Sequence, residues 1–207
     1  MAKFPEPPAA GQLAGIVPEI RALPAGSRLW RVYFRGGRHP AFWDTFRTFG
    51  PTGSRFDHHL PPPHPQSRGI LYAALAGPTC LAEVFQQTRV IDRTASDPWL
   101  VGFELSGDLR LLDLTDTWPT RAGASMALAT GPRPRAQRWS RAIYEAYPQI
   151  HGLHYPASMH ANLPSVALFE RAAAAMPSAP VLHRPLVEPA LLGALNRAAR
   201  DLGYGLV

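Results

Sequence analysis

The sequence predicts an α/β fold of the mixed α+β kind, a single domain with a mixed β-sheet core flanked by helices. Stretches with the alternation of strands are interspersed with stretches of helical periodicity, without the strict strand–helix–strand order of a doubly wound sheet. Hydrophobic residues make up 46% of the 207 residues, which suffices for one core, and no repeat period is visible. Residues 1–27 predict an N-terminal arm or lead-in helix, and residues 28–207 the folded domain that carries the function.

The positive charge of the chain comes almost entirely from arginine. The formal net charge is +6, and Lys3 is the only lysine. Guanidinium groups make bidentate contacts with phosphate, so the bias suits a nucleotide pyrophosphate, a nucleic acid or an acidic protein, although genomic base composition explains it equally well. Cys80 is the only cysteine, which excludes a disulfide framework and a thiolate metal site. Without an apolar leader or a run of about 18 apolar residues, we expect a cytoplasmic protein that enters no membrane.

Before the centre of the chain, the sequence predicts one strand, one short helix and one long loop. In residues 29–35 alternate side chains point to two faces, and Arg31 lies on the more polar one. The aromatic-rich residues 40–50 predict a short helix over the core. The histidine- and proline-rich residues 57–68 predict an irregular loop, which leaves a lid and a partner surface both open.

Residues 69–88, GILYAALAGPTCLAEVFQQT, predict an apolar strand, a Gly-Pro turn and a helix. Proline is favoured in the first turn of a helix, so the start of this helix is well marked. Its apolar stripe consists of Leu81, Val84, Phe85 and Thr88. Glu83 lies about 200° around the helix from Leu81 and from Phe85, so it points away from the stripe. Glu83 therefore faces either water or a cleft.

After this unit the sequence predicts a hairpin and then alternating helices and strands. Residues 99–105 and 109–114 predict two strands joined at the turn Ser106-Gly107-Asp108. A helix capped by Thr115 or Asp116 is predicted to run to about Ala129. The remaining predicted elements are a helix over 135–147, strands over 150–155 and 165–169 with a loop at 158–164, a strand over 181–186, and a helix over 188–201 that stops at Gly203.

Several signatures of common enzymes are absent from the sequence. It has no glycine-rich dinucleotide fingerprint, no P-loop, no zincin motif and no nucleophile elbow, which disfavours a dehydrogenase, an NTPase, a zincin and an α/β-hydrolase. No metal site is expected, because His58, His59 and His64 have no acidic or cysteine partner suited to one. Cys80 shares the face of Glu83, but a buried small residue is the favoured interpretation.

Five residues follow one another in an order that resembles a known family. They are Arg31 on the first strand, Arg55 in Gly-Ser-Arg-Phe-Asp, Tyr72 and Glu83 in LYAALAGPTCLAEV, and Ser158, which Asn162 and VALF follow. Together they resemble the RES domain, named for an Arg, a Glu and a Ser, over residues 29–185. Where the family tends to have Gly-Gly-Arg-Trp-Asn, this chain departs at three positions but keeps the arginine.

The resemblance implies an ADP-ribosyltransferase-like fold that binds NAD as its substrate. It implies the toxin of a toxin–antitoxin pair, which degrades NAD+ by hydrolysis or phosphorolysis of the nicotinamide–ribose bond. It also implies an antitoxin with an Xre-like DNA-binding domain that covers the active site. Cleavage of this bond leaves an oxocarbenium-like ribose, and nicotinamide departs neutral, so one carboxylate suffices.

The same resemblance suggests a role for each of the five residues. Glu83 is expected to hold a ribose hydroxyl and to stabilise the developing positive charge. Arg31 and Arg55 are expected to neutralise the pyrophosphate. Tyr72 is expected to stack on nicotinamide or shape its pocket, and Ser158 to hydrogen-bond the nicotinamide amide or the ribose, a role for which Ser165 is a rival.

Three other functions stay open at this point. One is transfer of ADP-ribose to a protein, since no motif encodes the acceptor. Another is a basic nucleic-acid-binding module, against which the arginines are scattered and no helix-turn-helix or RNA-binding signature is present. The third is a binding protein without activity, against which the Arg, Glu and Ser are all present.

Overall fold

The computed structural model of the protein describes residues 4–207 and has a mixed sheet with helices packed on it. The strands are β1 (Ile20–Leu23), β2 (Arg28–Phe34), β3 (Arg47–Gly50), β4 (His64–Ala74), β5 (Val90–Ile91), β6 (Pro98–Glu104), β7 (Leu109–Asp113), β8 (Gly152–Pro156), β9 (Pro164–Phe169), β10 (Leu182–Pro185) and β11 (Gly205–Leu206). The α-helices are α1 (Ala10–Ala14), α2 (Gly77–Val84), α3 (Trp118–Arg121), α4 (Ala127–Thr130), α5 (Arg133–Ala146) and α6 (Leu192–Leu202).

Nine strands form one sheet in the order β1-β7-β8-β9-β4-β2-β6-β10, with β3 beside the first part of β4. The pair β7 and β8 is parallel, and the other pairs of this sheet are antiparallel. Strands β5 and β11 form a separate parallel pair. This architecture confirms the predicted mixed α/β fold.

The large sheet curls around an inner core. Leu71 of β4 and Leu168 of β9 belong to the same buried cluster as Leu29 of β2 and Phe103 of β6. The outer face of β8 and β9 is covered by α5, whose Trp139 is fully buried. The outer face of β2 and β6 is covered by α2 and α6. Both halves of the sheet are therefore packed on two faces, as in a structure whose strands carry apolar residues on both sides.

Strands β6 and β7 do not form the predicted hairpin. Strand β6 pairs with β2 and β10, whereas β7 pairs with β1 and β8. The β1–β7 and β2–β6 ladders share one register, because Leu23 pairs with Leu109 and Arg28 pairs with Glu104. The predicted turn is instead a bend at which one long strand passes from one half of the sheet to the other. Turn-forming residues serve such a bend as well as a reversal, and opposite it Gly26 adopts a φ of +83°.

The predicted helix over residues 40–50 is also wrong. The segment ends in strand β3, and Trp43 packs on Phe103 with 5.6 Å between ring centroids. Threonine and phenylalanine around β3 favour a pleated strand when a partner strand is available. That partner is β4, which begins at His64 and so takes up the last part of the predicted loop over residues 57–68.

The helix predicted to run to about Ala129 is divided into α3 and α4. Neither Thr115 nor Asp116 caps it; the carboxylate of Glu19 accepts the N–H of Trp118 at 2.9 Å, and α3 begins there. Gly123, with a φ of +81°, follows the end of α3. The elements predicted after residue 130 are confirmed more closely. Helix α5 and the strands β8, β9 and β10 are present, and Gly203, in the left-handed conformation, follows the end of α6.

Residues 4–27 contain α1 and β1, and they pack against the rest of the chain. Phe4 and Leu13 are buried in the same cluster as Trp139. The indole of Trp139 donates to the carbonyl of Pro5 at 2.9 Å. The first three residues of the predicted arm lie outside the described part of the chain. Among residues 4–207, no helix combines the length and the apolar character that a membrane crossing requires.

The strand–turn–helix unit predicted over residues 69–88 is present as β4 and α2. The helix begins at Gly77 with proline in its first turn, and Leu81 and Phe85 are buried as predicted. It ends at Val84, so the predicted last turn is missing. Strand β4 neighbours β2, yet the two pair only at Trp30 and Ala74. Beyond this pair the strands separate, and α2 lies at the opening.

Candidate active site

Two adjoining cavities of about 430 and 190 Å³ lie beside β4 and α2, and the smaller one occupies the gap between β2 and β4. Four residues line both: Tyr72, Glu83, Val84 and Tyr155. The larger cavity is also lined by Arg55, Arg133 and Ser158, and the smaller one by Arg31, Cys80 and Ser165. All five residues singled out from the sequence thus meet in one cleft.

Glu83 enters the cleft from the last turn of α2. Its Oε1 accepts a hydrogen bond of 3.1 Å from the backbone N–H of Met159, in the loop that follows β8. Burial raises the pKa of Glu83, and the Met159 N–H and the charges of Arg55 and Arg133 act in the opposite direction. Of the two orientations that the sequence left open, the structure shows the one that faces a cleft. Among the described residues, Glu83 is the only acid that lines either cavity.

Arg31 lies where β2 and β4 separate. Its Nη1 is 3.5 Å from the carbonyl of Tyr72, and its buried Nε has no hydrogen-bond partner. Burial lowers the pKa of Arg31 to about 10, so the group stays charged at neutral pH. A buried guanidinium without an acidic partner is costly, which makes this a place suited to an anionic or polar ligand.

Arg55 lies in the turn between β3 and β4 and is half-buried. Its Nη1 donates to the carbonyl of Gly131, which fixes the turn against the start of α5. The turn is held from its other end by Asp57, whose carboxylate accepts the N–H of Thr52 at 2.6 Å and pairs with Arg47 at 2.9 Å. Burial, followed by the charge of Arg133, lowers the pKa of Arg55.

The three cleft arginines have no acidic partner. Within residues 4–207, none of Arg31, Arg55 and Arg133 has a carboxylate oxygen within 4.0 Å. Two other arginines of α5 differ in this respect, because Arg135 and Arg138 both pair with Glu6. The cleft therefore carries an excess of positive charge around one carboxylate.

Tyr72 and Tyr155 form the wall between the two cavities. The buried hydroxyl of Tyr72 lies near the backbone of Phe56 and the side chain of Ser54 without a hydrogen bond of good geometry to either. Burial raises the pKa of both tyrosines, so both are neutral phenols. They offer aromatic surface and hydroxyl groups to a ligand.

Ser158 and Ser165 occupy different parts of the cleft. Ser158 is exposed at the larger cavity, next to Met159. Ser165 is buried at the smaller cavity, where its Oγ lies near Tyr155 without a well-formed hydrogen bond. The structure thus puts Ser158 beside the carboxylate of Glu83 and Ser165 on the side of Arg31.

Sequence reasoning missed Arg133 and gave Tyr155 no role. Arg133 begins α5 but precedes the helix predicted over residues 135–147, and nothing local distinguishes it from its neighbouring arginines. Tyr155 lies near the end of β8, three residues before Ser158. This closeness to a predicted site residue could have identified it from the sequence.

Two other candidates are clarified by the structure. Burial raises the pKa of the Cys80 thiol to about 12, which leaves no thiolate for nucleophilic attack. Among residues 4–207, no group of three or more His, Cys, Asp or Glu side chains is placed to hold a metal ion. His58 and His59 are fully buried, and His58 stacks on Tyr144 with 4.5 Å between ring centroids.

Two comparisons with known proteins, one of the fold and one of the sequence, found similarities. The fold is similar to that of the MbcT toxin in the crystal structure of the M. tuberculosis MbcT–MbcA toxin–antitoxin complex, with a TM-score of 0.54 and 15% identity, over 93% of this chain and 95% of that one. At this identity the likeness supports the mixed α/β fold alone. No curated protein matches the sequence. The model of the RES domain matches residues 28–187, and the chain therefore belongs to the RES domain family.

Proposed function

We propose that this protein cleaves the bond between nicotinamide and ribose in NAD+. The observation that carries the proposal is the arrangement around Glu83, a partly desolvated carboxylate that is the only described acid lining a cleft with three unpaired arginines. An acid-base pair of carboxylates, as most glycosidases use, is not needed for this substrate. The positive charge that surrounds the cleft suits a substrate with two phosphates.

The chemistry requires little from the protein beyond positioning and electrostatics. As the bond breaks, its electron pair moves to the pyridinium nitrogen, so nicotinamide leaves neutral and positive charge develops on the ribose. Glu83 stabilises that charge and holds a ribose hydroxyl, and its burial strengthens the interaction. Water or phosphate then attacks the ribose carbon and loses a proton.

The size and lining of the cleft are compatible with a nucleotide ligand. The larger cavity, at about 430 Å³, falls within the range of about 300–1,000 Å³ that is usual for small-molecule sites. Tyr72, which borders both cavities, offers a face for stacking on nicotinamide. Ser158 lines the same cavity as Glu83, and its proposed role is to hydrogen-bond the carboxamide or a ribose hydroxyl.

We further propose that the protein is the toxin of a toxin–antitoxin pair and acts in the cytoplasm. Membership of the RES family and the similarity of fold to a toxin found with its antitoxin support this. The partner we expect is an antitoxin with an Xre-like DNA-binding domain that covers the cleft. Loss of NAD would then be the toxic event.

The test is to incubate the purified chain with NAD+, with and without phosphate, and to identify the products by mass. Nicotinamide with ADP-ribose indicates hydrolysis, and phosphorylated ADP-ribose formed only with phosphate indicates phosphorolysis. Glu83→Gln keeps the shape and removes the charge, so we expect the rate to fall by about 10²–10³. Glu104→Gln is the matched control, because Glu104 is partly exposed, pairs with Arg28 and lines neither cavity.

The outcomes separate the candidate functions. Intact NAD+ in both reactions, together with labelling of proteins in a cell extract, would favour transfer of ADP-ribose to a protein instead. Equal NAD+ loss in the wild type and in Glu83→Gln would refute the role of Glu83. In a bacterial host, expression of the wild type should stop growth and deplete NAD, whereas Glu83→Gln should do neither.

A further inference from the structure

Two guanidinium groups, those of Arg55 and Arg133, line the larger cavity, and in the described part of the chain neither forms an ion pair with a carboxylate. Arg55 comes from the turn between β3 and β4, and Arg133 is the first residue of α5. Each carries its charge within electrostatic reach of the other, because Arg133 is the largest influence after burial that lowers the pKa of Arg55. Like charges held close together are unfavourable unless opposite charge compensates them, and the single carboxylate of Glu83, which acts on both arginines, is one negative charge against two positive ones.

Both side chains are held by fixed parts of the fold. Arg55 donates from Nη1 to the carbonyl of Gly131, two residues before Arg133. Arg133 Nη2 is 3.5 Å from Oε1 of Gln86, just after the end of α2. Three segments that are distant in sequence thus bring their polar side chains to one wall of the cavity. Neither contact removes the charge of either arginine, and both leave guanidinium N–H groups free for a ligand.

Arg31 does not belong to this wall. It lines the smaller cavity, on the far side of the Tyr72 and Tyr155 wall, and does not border the larger one. The two phosphates of a dinucleotide are directly linked, so the groups that neutralise them must lie together. Arg55 and Arg133 meet this condition, whereas Arg55 and Arg31, the pair expected from the sequence, line different cavities.

We infer that Arg133 and Arg55 form a clamp for the diphosphate of the substrate, with Gln86 as the group that orients Arg133. The choice of a dinucleotide diphosphate as the ligand rests on the proposed function. Each planar guanidinium offers paired N–H donors that match phosphate oxygens. Arg31 is then left to the smaller cavity, where it serves the other end of the substrate or the acceptor.

Binding of ADP-ribose tests the clamp without requiring turnover. We expect titration calorimetry to show that Arg133→Gln weakens ADP-ribose binding by about tenfold to a hundredfold, the loss typical of a hydrogen bond to a charged group. Arg133→Lys should weaken ADP-ribose binding less than Arg133→Gln does. Lysine keeps the positive charge, although it lacks the paired N–H donors of a guanidinium group. Arg184→Gln, an exposed arginine on β10 that lines neither cavity, should bind like the wild type.

Kinetics with shortened substrates locate the effect on the phosphates. For NAD+, Arg133→Gln should raise KM with little change in kcat, because the diphosphate is remote from the bond that breaks. For nicotinamide riboside, which has no phosphate, the loss of kcat/KM in Arg133→Gln should be smaller than for NAD+ by about tenfold or more, because only the influence of Arg133 on Glu83 is then removed. An equal loss with both substrates would overturn the clamp, because it would show that Arg133 acts on something other than the phosphates.

The two proposals fail in different ways. If the wild type binds ADP-ribose through Arg133 but leaves NAD+ intact, the clamp stands and the cleavage reaction is wrong. If NAD+ is cleaved and Arg133→Gln binds ADP-ribose as tightly as the wild type, the clamp alone is wrong. A wild type that binds no ADP-ribose at all also overturns the clamp.

Discussion

The backbone N–H of Met159 donates a 3.1 Å hydrogen bond to the Glu83 carboxylate and so joins the loop after β8 to helix α2. A second bond, of 2.9 Å, links His160 Nδ1 and Thr79 Oγ1 between the same two elements. A backbone donor, unlike an arginine, leaves the negative charge of Glu83 unneutralised. The loop therefore positions the carboxylate while its charge stays available to a ligand.

The first prediction concerns how the buried carboxylate of Glu83 affects the stability of the folded protein. Burial raises its pKa in the folded protein above the ordinary value of 4.5, so the folded state disfavours the ionised form. The stability linked to this group is fully present below the ordinary pKa and is lost as the pH rises through the folded-state pKa. Glu83→Gln should therefore melt at the same temperature as the wild type or higher at pH 7, with the difference shrinking towards pH 4. Thermal denaturation at both pH values measures this, and a variant that is less stable at pH 7 would contradict it.

The second prediction concerns the link between Thr79 and His160. Thr79 is fully buried, and the loop that carries His160 includes Ala161 and Asn162 at φ values of 48° and 59°, which are unfavourable without outside support. His160→Ala should cost about 1–3 kcal/mol of stability, because it leaves the buried hydroxyl without its partner. It should also lower kcat, since the loop holds the Met159 N–H against Glu83.

A double-mutant cycle separates this link from a general loss of packing. Thr79→Val removes the hydroxyl and keeps the shape of the side chain. If the two residues act through their shared bond, the double variant should lose no more activity than His160→Ala alone. Additive losses would mean that each residue acts separately.

The third prediction concerns Cys80. The thiol is buried against the smaller cavity, and burial raises its pKa to about 12. A disulfide reagent should therefore modify none of the native protein at pH 8 and one thiol per chain after unfolding, because the thiolate is the reactive form. Rapid modification of the native protein would show that the cavity opens to solvent, and would reopen the question of a nucleophilic role.

Local patterns and long-range pairing differ in how far the sequence reveals them. The unit containing β4 and α2 was predictable, because its apolar periodicity and its Gly-Pro boundary are local signals. The supposed hairpin at Ser106-Gly107-Asp108 was not, because a bend and a reversal use the same residues and only the partners of β6 and β7 distinguish them. In the same way, the ordered set of motifs identified Glu83, whereas Arg133 reaches the cleft only through the packing of α5. Residues that enter a site from an element without a motif are visible only in three dimensions.

The last prediction concerns Asp57, which is fully buried below the Arg55 turn. Burial raises its pKa, but the hydrogen bonds from His59 and Thr52 and the charge of Arg47 outweigh this and hold the pKa well below 3.8. Stability from such a group is present above its ordinary pKa and is lost as the pH falls through the folded-state value. Asp57→Asn should cost about 2–4 kcal/mol at pH 7, because it removes a buried carboxylate that pairs with the partly exposed Arg47 and accepts hydrogen bonds from Thr52 and His59.

The same variant should weaken ADP-ribose binding, since the turn that it loosens carries Arg55. Asp108→Asn is the matched control: Asp108 is exposed, its Oδ1 accepts the N–H of Ala25 at 2.8 Å, and asparagine keeps that acceptor. We expect the control to change stability by no more than about 0.5 kcal/mol. Urea denaturation at pH 7 and at pH 3 measures both variants, and the gap between Asp57→Asn and the wild type should narrow at pH 3. A gap that is constant with pH would mean that Asp57 supports the turn by its shape and not by its charge.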